Sequence, residues 1–273
     1  MFKNQHVLIT GGSSGLGLEI AYLLAAAGAK LTLLARNVNK LNEARTSILQ
    51  RSPQAMLQIK AVDVSDETAV LSAMTELSAE FGGLDMLVNS AGILREGYFD
   101  QLQMRDFREV MEVNYFGLLN VVRAAQPHLQ KSQGRLVNIA SMAGMTGAFG
   151  YSSYSASKHA LVGLSECLRY EFKPLGINVH LVCPGEFDSP MVDALDAYRT
   201  PENKAHTLII PKMSVEDIAQ STLSGIKANK FLIIPGARTR AAAFGIQHFP
   251  AISRTMGDRM IAKVQKQLSN KAE

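Results

Sequence analysis

The chain has 273 residues, 47% of them hydrophobic and 19% charged, with a formal net charge of +4. That length suits one large α/β domain or two small ones, and the apolar content is enough for a core, which excludes a mostly disordered chain. The mildly basic balance is too small to argue for nucleic acid, and two cysteines, Cys167 and Cys183, fit a reducing compartment better than a disulfide framework.

Met1 to His6 leads into an apolar run without a secretory leader, and the apolar stretch 20–27 is far short of the roughly 20 residues a bilayer span needs. A cytoplasmic protein, attached at most to a membrane surface, is expected. His6–Thr10 stops at glycines, the pattern of a buried strand. A helix is expected over 15–27, closing at Gly28, and a strand over 31–35. Asn37 is placed to cap a helix to about Arg51, where Pro53 blocks continuation. Strands at 57–62, 86–89, 135–140 and 178–183 then alternate with helices over 66–81, 106–130 and 154–173. Ser214-Val-Glu-Asp217 has the form of a capping box ahead of a helix over 215–227, and 231–234 reads as a last strand. Short strands joined by helices need crossovers, so the fold class expected is α/β, a doubly wound parallel sheet with helices on both faces. Without a linker or repeat, one domain is expected over 1–235, with an extension over 236–273.

Thr10-Gly-Gly-Ser-Ser-Gly-Leu-Gly17 falls where the first strand turns into the first helix. Gly11 can take backbone angles closed to other residues, and Gly15 and Gly17 leave room for a pyrophosphate and for helix–strand contact. The anion would meet free N–H groups and the helix dipole at the helix N-terminus. Glycines mark turns anywhere; it is the position between strand and helix that points to a dinucleotide. The second strand ends in Leu34-Ala35-Arg36-Asn37, without the carboxylate that would bind the ribose of NAD. The Arg36 guanidinium suits a phosphate and favours NADP(H), a solvated strand-end arginine being the alternative.

Tyr154 and Lys158, four apart in a helical stretch, share one face. A tyrosine with a free pKa of about 10 is a poor acid or base, and a cation held beside it favours the phenolate. Tyr151 has Ser155 four residues on and lacks that partner. Ser141 follows the strand at 135–140, and ligands of parallel sheets gather at the carboxyl ends of strands. Gly144, Gly147 and Gly150 make the segment between them a loop able to return Tyr154 to the same crevice. The six histidines form no HExxH motif or Cys/His cluster, so no metal is expected, and both cysteines are expected to pack.

Together the glycine pattern, Asn89-Ser-Ala-Gly92, Asn114, Ser141 and Tyr154-Ser-Ala-Ser-Lys158 resemble the short-chain dehydrogenase/reductase family over about 7–234. The resemblance implies a Rossmann fold and hydride transfer between NADP(H) and a carbonyl or alcohol. By that similarity Gly11, Ser13, Ser14, Gly15, Leu16 and Gly17 cradle the cofactor, with Ser13 beside Arg36 at the 2′-phosphate. Asp63 and Val64 would meet the adenine, and Asn89, Ala91 and Gly92 would border the cofactor. Ser90 stands where the family usually has a second asparagine, and keeps a small polar side chain. Ser141 would hydrogen-bond the carbonyl oxygen and Tyr154 would donate its proton. Lys158 would bind the nicotinamide ribose, and Asn114 would hold a water relaying protons to it. Pro184-Gly-Glu-Phe-Asp-Ser-Pro-Met191 is similar to the segment covering the nicotinamide, with Pro184, Gly185 and Phe187 beside the ring and Ser189 in place of the commoner threonine.

Residues 33–37, 149–158 and the long extension look most like the 3-ketodihydrosphingosine reductase branch. That implies a long-chain apolar ketone, and the family implies a homodimer or homotetramer through the helices at 106–130 and 154–173. A 3-oxoacyl thioester, a steroid or another ketone stays open as substrate. A noncatalytic dinucleotide sensor is the alternative of another class, against which the intact Asn114, Ser141, Tyr154 and Lys158 argue. Met142, Met145, Phe149, Met191, Leu195, Leu208 and Ile209, in the loop 142–149 and the irregular stretch 191–213, would line an apolar pocket or pack a lid. The extension holds seven basic residues (Arg238, Arg240, Arg254, Arg259, Lys263, Lys266, Lys271) against Asp258 and Glu273. Ile252, Met256, Met260 and Val264 recur every four residues, so this helix can lie on an anionic membrane surface, cover its own domain or cover a partner subunit.

Overall fold

The computed structural model describes residues 1–272, except for the side chains of 78–80 and 271–272. Glu273 and the Lys271 side chain, both counted in the charge of the extension, lie outside the described residues. Seven strands form one sheet: β1 (His6–Thr10), β2 (Lys30–Ala35), β3 (Met56–Ala61), β4 (Met86–Asn89), β5 (Arg135–Ile139), β6 (Asn178–Val182) and β7 (Leu232–Ile233). All neighbours pair in parallel, in the order β3-β2-β1-β4-β5-β6-β7. The order reverses between β1 and β4, and there the carboxyl ends open a crevice.

The strands can be continuously apolar because helices cover both faces. On one face lie α1 (Gly15–Ala26), α2 (Val38–Arg51) and α9 (Val215–Lys227); on the other lie α3 (Glu67–Phe81), α5 (Leu118–Ser132) and α6 (Ser152–Phe172). The expected caps are in place: Asn37 Oδ1 accepts from the Lys40 N–H at 3.0 Å and Ser214 Oγ from the Asp217 N–H at 3.1 Å. Inside the sheet, Asn89 Nδ2 donates to Asn138 Oδ1 at 3.0 Å, and Asn138 Nδ2 donates to Ser165 Oγ at 3.0 Å. This buried chain fixes β4, β5 and α6 relative to one another.

Three expectations are corrected. The helix expected over 106–130 is α4 (Met104–Met111), then a π-helical segment, Glu112–Gly117, then α5. The segment absorbs an extra residue where Gly117 meets Val64: a Cβ at Gly117 would stand 2.6 Å from Val64 Cγ2. The stretch 191–213 is not irregular but holds α7 (Pro190–Asp196) and α8 (Pro201–Thr207). Each starts with a hydroxyl cap followed by proline, Ser189-Pro190 and Thr200-Pro201. Cys167 does not pack; it is exposed on α6, while Cys183 is buried.

The extension forms α10 (Ala237–His248) and α11 (Pro250–Ala272), and α11 lies against α8. Its apolar stripe stays partly open, with Ile252 and Met256 exposed. Among the described residues no helix is long and apolar enough to cross a membrane. Asn138→Ala should strand the buried Asn89 amide, whose Oδ1 already has no protein partner, and lower unfolding free energy by about 1–3 kcal/mol in urea denaturation.

Candidate active site

The crevice is floored by main chain. Thr10 Oγ1 accepts from both the Ser90 and Ala91 N–H groups, each at 3.1 Å, which ties the end of β1 to the loop after β4. Gly11 sits at φ +66°, and a Cβ there would fall 2.8 Å from the Ala91 nitrogen. A Cβ at Gly17 would fall 2.5 Å from the Gly11 carbonyl oxygen. Only bare backbone lets α1 start this close to the strand ends. Ser14, extended at the N-cap, makes no side-chain cap, and the first turn of α1 carries no acid. Its free N–H groups are therefore a cradle for a phosphate, which is what a dinucleotide presents.

A cavity of about 1090 Å³ opens beside this cradle. Gly11, Ser14, Gly15, Leu16, Ala91, Gly92, Ser141, Tyr154, Lys158, Pro184, Gly185, Phe187 and Ser189, scattered over the sequence, all border it. The Ser189 hydroxyl caps α7, accepting from the Val192 N–H at 3.3 Å, and keeps its own hydrogen for a ligand. Asn89 and Asn114 are buried behind the wall. Ser13, Arg36 and Asp63 lie beyond the cavity, and Val64 is buried against Gly117. Arg36 Nη1 is 3.8 Å from Asp63 Oδ2, both side chains being well exposed. Burial would raise the Asp63 pKa, but hydrogen bonds from the Ser65 hydroxyl and N–H, together with Arg36, hold it below its ordinary value.

At the other end of the cavity Ser141 caps a short 3₁₀ turn, accepting from the Ala143 N–H at 3.1 Å, and stands near enough to Tyr154 to favour its phenolate. Lys158 Nζ lies 5.6 Å from the Tyr154 ring centre and donates to the Ile139 carbonyl at 3.0 Å. Burial pushes Tyr154 up to about 12, offset in part by Ser141, and pushes Lys158 down to about 8. The pull of a cation on the tyrosine, expected from the spacing, does not contribute to this shift, which desolvation sets against Ser141 alone. Tyr151 is buried edge-on against Tyr154, with ring centres 5.4 Å apart, and burial raises its pKa further still. The thiol of Cys183 is likewise pushed up to about 12 by burial. Asn114, on the π-helical segment, spends both amide hydrogens on the Ile93 carbonyl and Ser157 Oγ and accepts from the Ile93 N–H. Its side chain therefore positions the loop after β4 against α6, next to Lys158.

The far wall corrects the pocket expected from sequence. Met142, Met145, Phe149, Met191 and Ile209 line it; Leu208 does not, and Leu195 is buried in a separate cluster with Tyr151. The sequence reading missed Glu186, His206 and the contribution of the extension, from which Ile246, Met256, Gly257, Asp258 and Ile261 close the cavity. The every-four-residue stripe marked α11 as amphipathic without showing what it covers.

Fold and site together define a doubly wound α/β domain in which a glycine cradle shaped for a dinucleotide faces Ser141, Tyr154 and Lys158 across one cavity. The profile of the family described as short chain dehydrogenase matches residues 5–200, and the chain belongs to that family. It is 40% identical over 190 residues to the 3-ketodihydrosphingosine reductase of Bos taurus, covering 68% of this chain and 57% of that protein. It is 33% identical to the levodione reductase of Leifsonia aquatica, covering 80% of each. The chain thus spans less than three-fifths of the cattle reductase, and about as much of the 3-dehydrosphinganine reductase of Danio rerio (58%). Among solved structures, levodione reductase superposes with a TM-score of 0.80 at 28% identity, over 88% of this chain and all of that one. A Burkholderia phymatum short-chain dehydrogenase/reductase in complex with NAD does so with a TM-score of 0.81 at 25% identity, over 92% and 95%.

The two shifted groups have opposite effects on stability. Lys158 titrates near 8 in the folded protein against 10.5 ordinarily, so between those values the unfolded chain carries a proton the folded one lacks. Stability should rise with pH through that window, whereas Tyr154 lowers it only above pH 10. Guanidinium unfolding of the unliganded protein at several pH values should show the rise, and Lys158→Met should flatten it.

Proposed function

We propose that this protein is an NADPH-dependent reductase of a long-chain apolar ketone. The observation that carries the reading is the position of Ser141, Tyr154 and Lys158 at one end of an apolar-walled cavity whose other side is the glycine cradle. Reduced nicotinamide supplies the hydride. The Ser141 and Tyr154 hydroxyls border the same cavity, where both can donate to a carbonyl oxygen and stabilise the charge that grows there. Tyr154 gives its proton to that oxygen, and the phenolate left behind is offset by the Lys158 ammonium. With its side chain committed to Ile93 and Ser157, Asn114 leaves any proton relay to the main chain of the π-helical segment.

The preference for NADPH rests on Arg36 and on the missing carboxylate at the end of β2. A long-chain ketone is supported by the methionine-rich wall and by the similarity to 3-ketodihydrosphingosine reductases. Exposed Phe244, Phe249, Ile252 and Met256 stand next to the cavity-lining faces of α10 and α11, with Arg240, Arg254 and Arg259 on the same helices. This apolar surface with basic groups matches an anionic bilayer, from which such a ketone would enter. By family similarity a homodimer or homotetramer would form on the α5 and α6 faces.

The test is loss of NADPH absorbance over a panel of 3-ketodihydrosphingosine, 3-oxoacyl thioesters, steroids and small polar ketones, with NADH as control. Long-chain ketones should turn over with NADPH, and Tyr154→Phe should cut the rate by about 10²–10⁴ while leaving NADPH binding nearly intact. Arg36→Ala should weaken the preference for NADPH over NADH by about tenfold to a hundredfold, the worth of a charge-assisted pair. Equal rates with NADH in the wild-type protein would remove the Arg36 assignment. In sedimentation with vesicles, phosphatidylserine should increase binding, and Ile252→Glu with Phe249→Glu should abolish it.

A further inference from the structure

We propose that Arg199 is a positioning residue, locking the helices over the substrate and the segment beside the nicotinamide into one preformed unit. The kinetic part of this rests on the ketone-reductase reading. Arg199 lies between α7 and α8, and its side chain is 1% exposed. A guanidinium has five N–H groups, and here all five are engaged. Nε donates to Asn203 Oδ1 at 2.8 Å; Nη1 donates to Glu186 Oε1 and to Asp196 Oδ1, each at 2.9 Å. Nη2 donates to Glu186 Oε2 at 2.6 Å and to Thr207 Oγ1. One planar fork thus joins the end of α7, two turns of α8 and the loop after β6.

The residues that follow extend the clamp. Thr200 Oγ1 donates to buried Glu96 at 2.5 Å, and Asn203 Nδ2 donates to the Phe149 carbonyl at 2.6 Å, just ahead of the helix bearing Tyr154. On the other side Glu186 adjoins Gly185, and the Pro184 carbonyl accepts from the Met142 N–H at 2.9 Å, one residue past Ser141. A continuous path of direct bonds therefore leads from the roof of the cavity to the catalytic serine.

Such a pair is poorly suited to stability alone. Burying both charges costs several kcal/mol of solvation per ion, and apolar packing at such a place does as well or better. What a bidentate fork supplies is orientation, and a hydride acceptor misplaced by about 1 Å can lose a hundredfold in rate. Glu186 also borders the cavity, so the clamp reaches the reacting region itself.

Arg199→Lys keeps the charge and loses the fork. It should raise KM for the best ketone and lower kcat/KM by about tenfold to a hundredfold while NADPH affinity changes little. Hydrogen exchange over residues 190–208 of the unliganded protein should speed up, a readout that does not need turnover. The double variant Glu186→Gln, Arg199→Met removes both charges together. It should recover thermal stability without recovering KM or exchange protection, and it serves equally if the lysine variant does not fold. Wild-type KM and wild-type exchange in either folded variant would overturn the proposal. A wild-type protein that reduces no ketone would defeat the reductase reading on its own, and exchange over 190–208 would still decide the clamp.

Discussion

The whole site hangs on a contact between backbones. Where β1 turns into α1, the main chain of Gly17 rests on that of Gly11, and Gly11 rests on Ala91. A single methyl at either crossing would push the helix off the sheet, taking the first-turn amides away from the strand ends. That approach also places the loop after β4 under the Thr10 hydroxyl, and this loop holds Asn114 beside Lys158. The glycine cradle and the corner that holds Asn114 beside Lys158 are in this sense one packing arrangement seen from two sides.

Tyr154 and Lys158 sit in that arrangement at an electrostatic cost. Burial disfavours the ammonium of Lys158 and the phenolate of Tyr154 alike. Each charged form is what the other needs, so the pair gains most when both charges exist together. Around them the fold satisfies polar groups with protein rather than with solvent: the Asn89–Asn138–Ser165 chain below, the Asn114 amide behind, the Arg199 fork above. Polar networks of this kind hold one geometry because a partial alternative leaves buried donors without acceptors.

The sheet was readable because buried parallel strands are apolar runs and their helices have plain stops: Gly28 with φ +77° after α1, Gly82 with φ +77° after α3. The glycine turn, Ser141, Tyr154 and Lys158 were readable because their chemistry depends on residue type at fixed spacing. The π-helical segment was not, since it shifts a helix by one residue without altering its hydrophobic period. The helices α7 and α8 left a local signal, a hydroxyl residue followed by proline, but their apolar residues are too few to show a period. Arg199 was invisible for a different reason. Its partners lie 3, 4, 8 and 13 residues away, and no pattern of sequence links Glu186 to it before the roof is folded. The every-four-residue repeat in the extension marked an amphipathic helix, and only the fold shows that part of it faces the cavity.

That last feature divides the cavity between two stretches of one chain. The stretch matched by the family ends at residue 200, whereas α11 contributes its wall to the cavity from Pro250 onward. The wall of the cavity is therefore shared, with Met142, Met145, Phe149 and Met191 from the matched stretch and Ile246, Met256 and Ile261 from the extension. The first leaves no room for a side chain at Gly11 or Gly17, where a Cβ would run into backbone. The second touches the remainder mainly through α8, so its side chains can change with the glycine cradle left untouched. Altering the length or side chains of this terminal helix therefore reshapes one wall of the cavity while the strand ends that floor it stay where they are.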